Sequence, residues 1–343
     1  MSENSNTKLA IILFNLGGPD SLNAVRPFLF NLFYDKTIIN LPNPFRWLIA
    51  KIISISRAKK SRGIYSLVSG KSPILEETED QKKALNEKLK QNLAVNFKTF
   101  ICMRHWHPKS INVVKEIKEY NPSEIILLPL YPQFSTTTTG SSIEDFKKSW
   151  QGISNIPIKI ICCYPTDKNF ILAHVSLINE SLKKLKNKDN FRILFSAHGL
   201  PVKIIQAGDP YQWQIEQTVK NIVSTMGIEN LDYKITYQSR VGPVEWLKPD
   251  TCDEIELAGQ EKKALIIAPI SFVSEHVETL VELDIEYKEI ANKYDLEYIR
   301  VPTLRTNELF IEGISKLVCS NFESSEVQAN RICPRDFVNC LCK

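Results

Sequence analysis

Eight short apolar runs punctuate the chain, at 9–16, 97–103, 124–131, 158–164, 192–198, 233–239, 264–272 and 296–302. They are rich in β-branched residues and apolar at nearly every position, as a strand covered on both faces requires. Between them lie segments with helical period, such as SINVVKEIKEY (110–120) and HVETLVELDIEYKEIANKY (276–294). This alternation predicts an α/β fold with parallel sheets and right-handed crossovers, and eight strands in 343 residues fit two similar α/β units. One segment departs from the pattern. From Pro44, the residues Phe45, Leu48, Ile49, Ile52 and Ile53 recur at helical spacing among Arg46, Lys51, Arg57, Lys59, Lys60 and Arg62. Such a helix carries too many charges to span a bilayer; it either rests on an anionic membrane or guards an apolar pocket, or it packs on a core with a solvated basic rim.

Composition narrows the class. Hydrophobic residues at 43% and charged residues at 24% are ordinary globular values and exclude fibrous or disordered chains. Lys+Arg 43 against Asp+Glu 39 leaves a net charge of only +4, with no basic stripe, so no nucleic-acid partner is expected. The N-terminal MSENSNTKLAIILFNLGG lacks a signal-peptide layout and predicts a cytoplasmic, reducing setting, where the 8 cysteines need not pair. Four of those, Cys319, Cys333, Cys340 and Cys342, crowd the C-terminal end.

No G-x-G-x-x-G, phosphate loop or G-x-S-x-G elbow is present, so the chemistry is expected in loops at the carboxyl ends of the strands. Those loops are polar: 103–108, 131–142, 196–201, 238–246 and 271–278. Among the 5 histidines, His198 ends the fifth apolar run, where it could be a metal ligand, a base or a structural side chain. After the seventh run Ser274 is a predicted N-cap, and Glu275, Glu278, Glu282 and Glu286 follow at steps of 3, 4 and 4. Like charges at that spacing repel, so the row is either a solvated face or a path for a divalent cation. Histidine and carboxylate together suit Fe(II) or Zn(II), and His276 with Glu278 adds a second such pair.

At this point the residues resemble a known family. LFNLGGPDS (13–21), VRPFL (25–29), SGKSPILEET (69–78), MRHWHP (103–108), YPQFSTTTTGSS (131–142), LFSAHGLP (194–201), GDPY (208–211), YQSRVGP with Trp246, and SFVSEHVETLVELDIEY (271–287) occur in the order of the ferrochelatases. The resemblance implies two Rossmann-like, chelatase-like lobes, each a parallel sheet flanked by helices, with the active-site cleft between them. Residues 7–150 plus 306–322 would form the first lobe, 151–305 the second with His198 and Glu278, and 323–343 a Cys-containing tail. It implies a lyase inserting Fe(II) into protoporphyrin IX, with loss of two pyrrole protons, to give protohaem. A coproporphyrin or other tetrapyrrole chelatase, and a non-catalytic porphyrin or haem carrier, are the alternatives.

The family's metal-site histidine falls on His198 and its catalytic glutamate on Glu278, with Glu282 and Glu286 continuing the acidic row. Its other active-site positions fall on Tyr65, Ser72, Arg104, Tyr131, Trp246, Phe272 and His276. Arg104 or Arg240 could hold the propionates. His105 stands where the family usually has tyrosine, which adds a candidate metal ligand at a porphyrin-contact position. The resemblance makes Fe(II) a substrate and implies no redox cofactor. Many relatives hold a [2Fe–2S] cluster through C-terminal cysteines. Here the spacing C-x13-C-x6-C-x-C matches no cluster motif, so an all-tail cluster, one that uses His174, and simple thiols all stay open. Residues 44–62 are a candidate contact with the inner membrane, and the oligomeric state is left open.

Overall fold

A computed structural model describes residues 7–152, 155–186, 188–240, 242–324 and 331–342; the first six residues and part of the cysteine tail, 325–330 and 343, lie outside them. Eight strands fall on the eight apolar runs: β1 (Lys8–Asn15), β2 (Asn96–Met103), β3 (Glu124–Pro129), β4 (Ile158–Ile160), β5 (Phe191–His198), β6 (Tyr233–Gln238), β7 (Ala264–Pro269) and β8 (Tyr298–Arg300). They form two four-stranded sheets, ordered β2-β1-β3-β4 and β6-β5-β7-β8, with every pairing parallel. The same winding thus occurs twice along the chain. The residues divide into two compact units, Met1–Cys163 with Ile314–Ile332 and Leu341–Lys343, and Tyr164–Gly313 with Cys333–Cys340. Helix Glu308–Glu323 therefore changes unit between Gly313 and Ile314, and the first unit runs on past the expected boundary at 150.

In the first unit, Ala10, Ile12 and Phe14 of β1 pack with Val113, Val114 and Ile117 of helix Ser110–Tyr120 and with Ile143, Phe146 and Trp150 of helix Ser141–Trp150. The alternate residues Leu9, Ile11 and Leu13 are also fully buried, so β1 is covered on both faces, which its unbroken apolarity anticipates. In the second unit, Leu194, Leu265 and Ile267 pack on Ile255 and Ala258 of helix Thr251–Gln260 and on Leu283, Tyr287 and Ala291. Burying each such Leu or Ile contributes about 1.5–3 kcal/mol.

The segment 276–294 is not one α-helix. Glu278–Glu286 is a nine-residue π-helix, continued by a short α-helix, Tyr287–Asn292. Ser274 does not cap it: Val277 holds the N-cap position with no side-chain hydrogen bond, and Glu275 and Thr279 organise the start instead. A shorter π-helix, Thr136–Gly140, follows β3 in the first unit, at the place the longer one takes after β7 in the second.

The basic segment is a helix, Phe45–Ser66, whose buried residues are Ala50, Ser54, Ala58 and Tyr65. Of the apolar stripe, Phe45 is 61% exposed, Leu48 50% and Ile52 56%, with Ile55 beside them at 52%, while Ile49 and Ile53 are half-buried, so the stripe packs on the core only along one edge. No described helix is long and apolar enough to cross a membrane.

Candidate functional site

In the second unit, parallel β5 and β6 end side by side, with His198 paired in register to Gln238. Their approach is close at Gly199, where a Cβ would lie 2.8 Å from the Gln238 carbonyl oxygen and 3.3 Å from the Trp246 ring. His198 is fixed at several atoms. Its N–H donates to Ser271 Oγ at 3.1 Å, its carbonyl accepts from the Tyr211 hydroxyl at 3.0 Å, and its Nδ1 lies 2.7 Å from the Gly199 carbonyl oxygen. A carbonyl can only accept, so Nδ1 carries the proton and Nε2 is the reactive nitrogen.

Nε2 faces the π-helix. Glu278, its first residue, holds Oε2 3.6 Å from His198 Nε2 and 3.3 Å from His276 Nε2, so one carboxylate oxygen sits between two imidazoles. The Phe272 ring forms a wall beside both, 6.3 Å from the His198 ring and 4.6 Å from the His276 ring. Burial works against the charged imidazolium, and the Glu278 carboxylate overcomes it, raising the His198 pKa to about 9. Burial likewise opposes the Glu278 carboxylate, and His198 overrides it, holding that carboxyl well below the usual range. At neutral pH the pair is therefore ionic, and 35% of the His198 side-chain surface is open to solvent, so an incoming group can reach it.

One turn on, Glu282 accepts from Gln238 Nε2 at 3.0 Å, from the Ser239 N–H at 2.8 Å, from the Ser239 hydroxyl and from the Tyr287 hydroxyl at 2.9 Å. Burial, with the charge of Glu278 adding to it, still raises its pKa. Glu286 lies at the exposed end of the π-helix. Glu275, expected in the same row, turns away into a buried ion pair with Arg300 at 2.6 Å. Trp246 forms an isolated antiparallel backbone bridge with Pro201, and its buried Nε1 has no hydrogen-bond partner. Arg240 pairs with buried Asp250 and is thereby partly neutralised.

In the first unit, Arg104 lies 2.7 Å from Asp35 Oδ2, donates through Nε to Ser141 Oγ at 2.6 Å, and lies 3.7 Å from Asp145. Arg104 thus already faces two carboxylates. His105 is sealed beside it: 4.0 Å from Asp35, it has no hydrogen bond at either ring nitrogen, and burial pushes its pKa down to about 3. Tyr131 is half-buried with its hydroxyl enclosed, and Tyr65 and Ser72 are buried elsewhere in this unit. The structure thus joins His198, Glu278, His276, Glu282 and Phe272 in one cluster, and adds Gln238, Ser239, Tyr211 and Ser271, which lie in the quoted motifs without having stood out as site residues.

Cys333 and Cys340 belong to the second unit, Cys319 and Cys342 to the first, and Cys333 Sγ accepts from Gln214 Nε2 at 3.0 Å. His174 is buried edge-on against Phe170, and burial pushes its pKa down to about 3. Among the described residues no three His, Cys, Asp or Glu side chains group as a metal-binding set.

A twice-wound parallel α/β frame with a histidine–carboxylate pair at a strand end defines a chelatase-fold protein. SirB from Bacillus subtilis with Fe3+ superposes at a TM-score of 0.54, with 9% identity, over 93% of this chain and 97% of that one. SirB in complex with cobalt, from the same species, superposes at 0.53 with 6% identity over 92% and 96%. The ferrochelatase family profile matches residues 8–322, and the chain belongs to the ferrochelatase family. The ferrochelatase of Rickettsia conorii (strain ATCC VR-613 / Malish 7) is 62% identical, and that of Pelagibacter ubique (strain HTCC1062) 51% identical, each over 98% of both chains.

Proposed function

We propose that this chain inserts Fe(II) into protoporphyrin IX to form protohaem, with His198 and Glu278 as the reacting pair. The observation that carries this is the Glu278 oxygen lying between two imidazole Nε2 atoms beside an aromatic wall. Metal insertion must remove two pyrrole protons and strip water from the ion. A carboxylate held well below its usual pKa stays anionic and attracts the cation, whose charge drives the shared proton off His198 Nε2 and leaves that nitrogen free to accept a pyrrole proton. The geometry therefore supports Glu278 as the iron-facing group and His198 Nε2 as the base, once the cation displaces the proton it shares with Glu278. His276 gives that proton a second imidazole within reach of the same oxygen. Phe272 and Trp246 supply flat apolar surface against which a macrocycle can bend and expose nitrogen lone pairs.

Turnover separates an enzyme from a carrier. Protein mixed anaerobically with excess Fe(II) and porphyrin should form haem far beyond its own concentration; a yield that stops at one haem per chain supports the carrier. Coproporphyrin offered in parallel decides the substrate, and a higher kcat/KM for it would overturn the protoporphyrin assignment. Exogenous imidazole should restore part of the activity of His198→Ala and none to Glu278→Gln; the reverse would exchange the two roles.

The exposed stripe of helix Phe45–Ser66 supports a peripheral membrane contact. Its six Lys and Arg face no Asp or Glu on the same helix, and Lys51 stacks over Trp47 at 4.6 Å. Apolar residues flanked by cations suit the interface of an anionic bilayer. Changing Arg46, Lys51 and Lys59 to Glu should abolish sedimentation with phosphatidylglycerol vesicles, and unchanged sedimentation refutes the contact.

A further inference from the structure

Extended π-helices are rare, because i→i+5 winding makes poorer contacts than α-winding and mostly survives as a single turn. The nine residues Glu278–Glu286 exceed that, so something outside the helix must hold the winding. The edge strand β8 lies against it. The Tyr298 hydroxyl donates to the Leu283 carbonyl at 2.7 Å. Arg300 grips Asp284 with two parallel bonds, Nε to Oδ1 at 2.8 Å and Nη2 to Oδ2 at 2.6 Å. Its remaining nitrogen, Nη1, donates to Glu275 Oε1 at 2.6 Å, just ahead of the π-helix. Glu275 passes the restraint on. Its Oε1 also accepts from the Thr303 N–H at 3.0 Å, its Oε2 accepts from the Thr279 hydroxyl at 2.6 Å, and Thr279 Oγ1 accepts from the His276 N–H at 3.0 Å.

One guanidinium, 13% exposed, therefore ties the chain before Glu278 to the chain after it. Both carboxylates it joins stand on the segment that aims the reacting pair. Rewinding to an α-helix advances each residue through a larger angle, which would turn Glu278 away from His198 while leaving the sheet intact. From this geometry we infer that Arg300 is a positioning residue for metal insertion: it splints the π-helix through Glu275 and Asp284 and so keeps Glu278 facing His198 Nε2. The inference rests on the proposed reaction of that pair.

The test is steady-state kinetics of the full-length protein with Fe(II) and protoporphyrin IX, with porphyrin binding read from fluorescence quenching. Arg300→Met should lower kcat by about 100-fold, the scale expected of a displacement near 1 Å, with KM and porphyrin affinity within about twofold of wild type. Arg300→Lys keeps the charge without the fork and should recover part of this, to a deficit of about tenfold. Asp284→Asn keeps the shape and loses one charge of the clamp; it should also cost about tenfold in kcat, and it carries the test if Arg300→Met does not fold. A purely structural arginine would reduce the folded fraction and leave the kcat of the folded protein alone. Folded Arg300→Met or Asp284→Asn with wild-type kcat, or with a raised KM and unchanged kcat, overturns the splint. Wild type assayed alongside keeps the two readings apart, because its own failure to form haem would defeat the proposed reaction rather than the role of Arg300.

Discussion

Replacing Glu278 by glutamine keeps the side chain's shape and removes the charge that governs His198. In the native pair, burial opposes the imidazolium and the carboxylate 3.6 Å away overcomes it, so His198 titrates near 9 rather than at its ordinary 6.5. At 1.36 kcal/mol per pH unit that difference corresponds to about 3.4 kcal/mol, an upper figure. With 35% of the His198 side chain open to solvent, screening reduces it to about 2 kcal/mol. Without the carboxylate, burial acts alone, and the His198 titration should fall by about 1.5 pH units or more. The assay is a proton–carbon NMR titration of the histidine Cε1 resonances over about pH 5 to 10, with His198 assigned by its loss in His198→Asn. The linkage has a definite sign. The raised His198 pKa contributes stability that is complete below 6.5 and lost as pH rises through about 9, while the lowered Glu278 pKa contributes stability present above 4.5 and lost on acidification. Wild type should therefore lose stability relative to Glu278→Gln between pH 6.5 and about 9, while its iron-insertion rate climbs as Nε2 sheds its proton. A His198 titration in Glu278→Gln within about 0.5 pH units of wild type would refute the reasoning.

Other consequences follow from the packing. Gly199→Ala puts a Cβ 2.8 Å from a backbone oxygen and should cost about 1–3 kcal/mol in urea denaturation; an unchanged midpoint contradicts the close approach. Ile267→Ala, at a fully buried site on β7, should cost about 2–5 kcal/mol with the KM for porphyrin unaltered. Asp35→Asn leaves the largely buried Arg104 guanidinium underpaired and should destabilise by about 3 kcal/mol, read by the same denaturation. His105→Phe removes ring nitrogens that have no partners, so stability should change by less than about 1 kcal/mol and metal affinity by less than about twofold, measured by calorimetry. A tenfold loss of metal affinity there would restore His105 as a ligand.

The frame was legible because a strand buried on both faces must be apolar at nearly every position, and β1, β3 and β7 carry that mark; the edge strand β8, half-buried and holding Arg300, carries it less clearly. His198 was legible by its place at a strand end, and Glu278 by its place in a row beginning at another. The π-winding was not, since carboxylates spaced by four share a face in α- and π-helices alike. Nor was the fate of the ionic side chains. Arg104 finds Asp35 and Arg300 finds Glu275 and Asp284 only through tertiary packing, and no local spacing announces those partners. Read along the chain, Arg104 and Arg240 look available for carboxylates; in the fold each already faces a buried aspartate. The basic helix was visible as a pattern, but only its exposed Phe45, Leu48, Ile52 and Ile55 decide which way it faces.

The central claim is that His198 and Glu278 together carry out metal insertion and do little to hold the porphyrin. Its most direct test is single-turnover haem formation under anaerobic conditions, with porphyrin binding measured by fluorescence on the same samples of wild type, His198→Ala and Glu278→Gln. The account predicts porphyrin affinity within about threefold of wild type in both variants, and haem formation slower by about 100-fold or more, the scale of losing a positioned acid–base group. Haem formation at the wild-type rate in either variant, or slowing explained wholly by lost porphyrin binding, would contradict it.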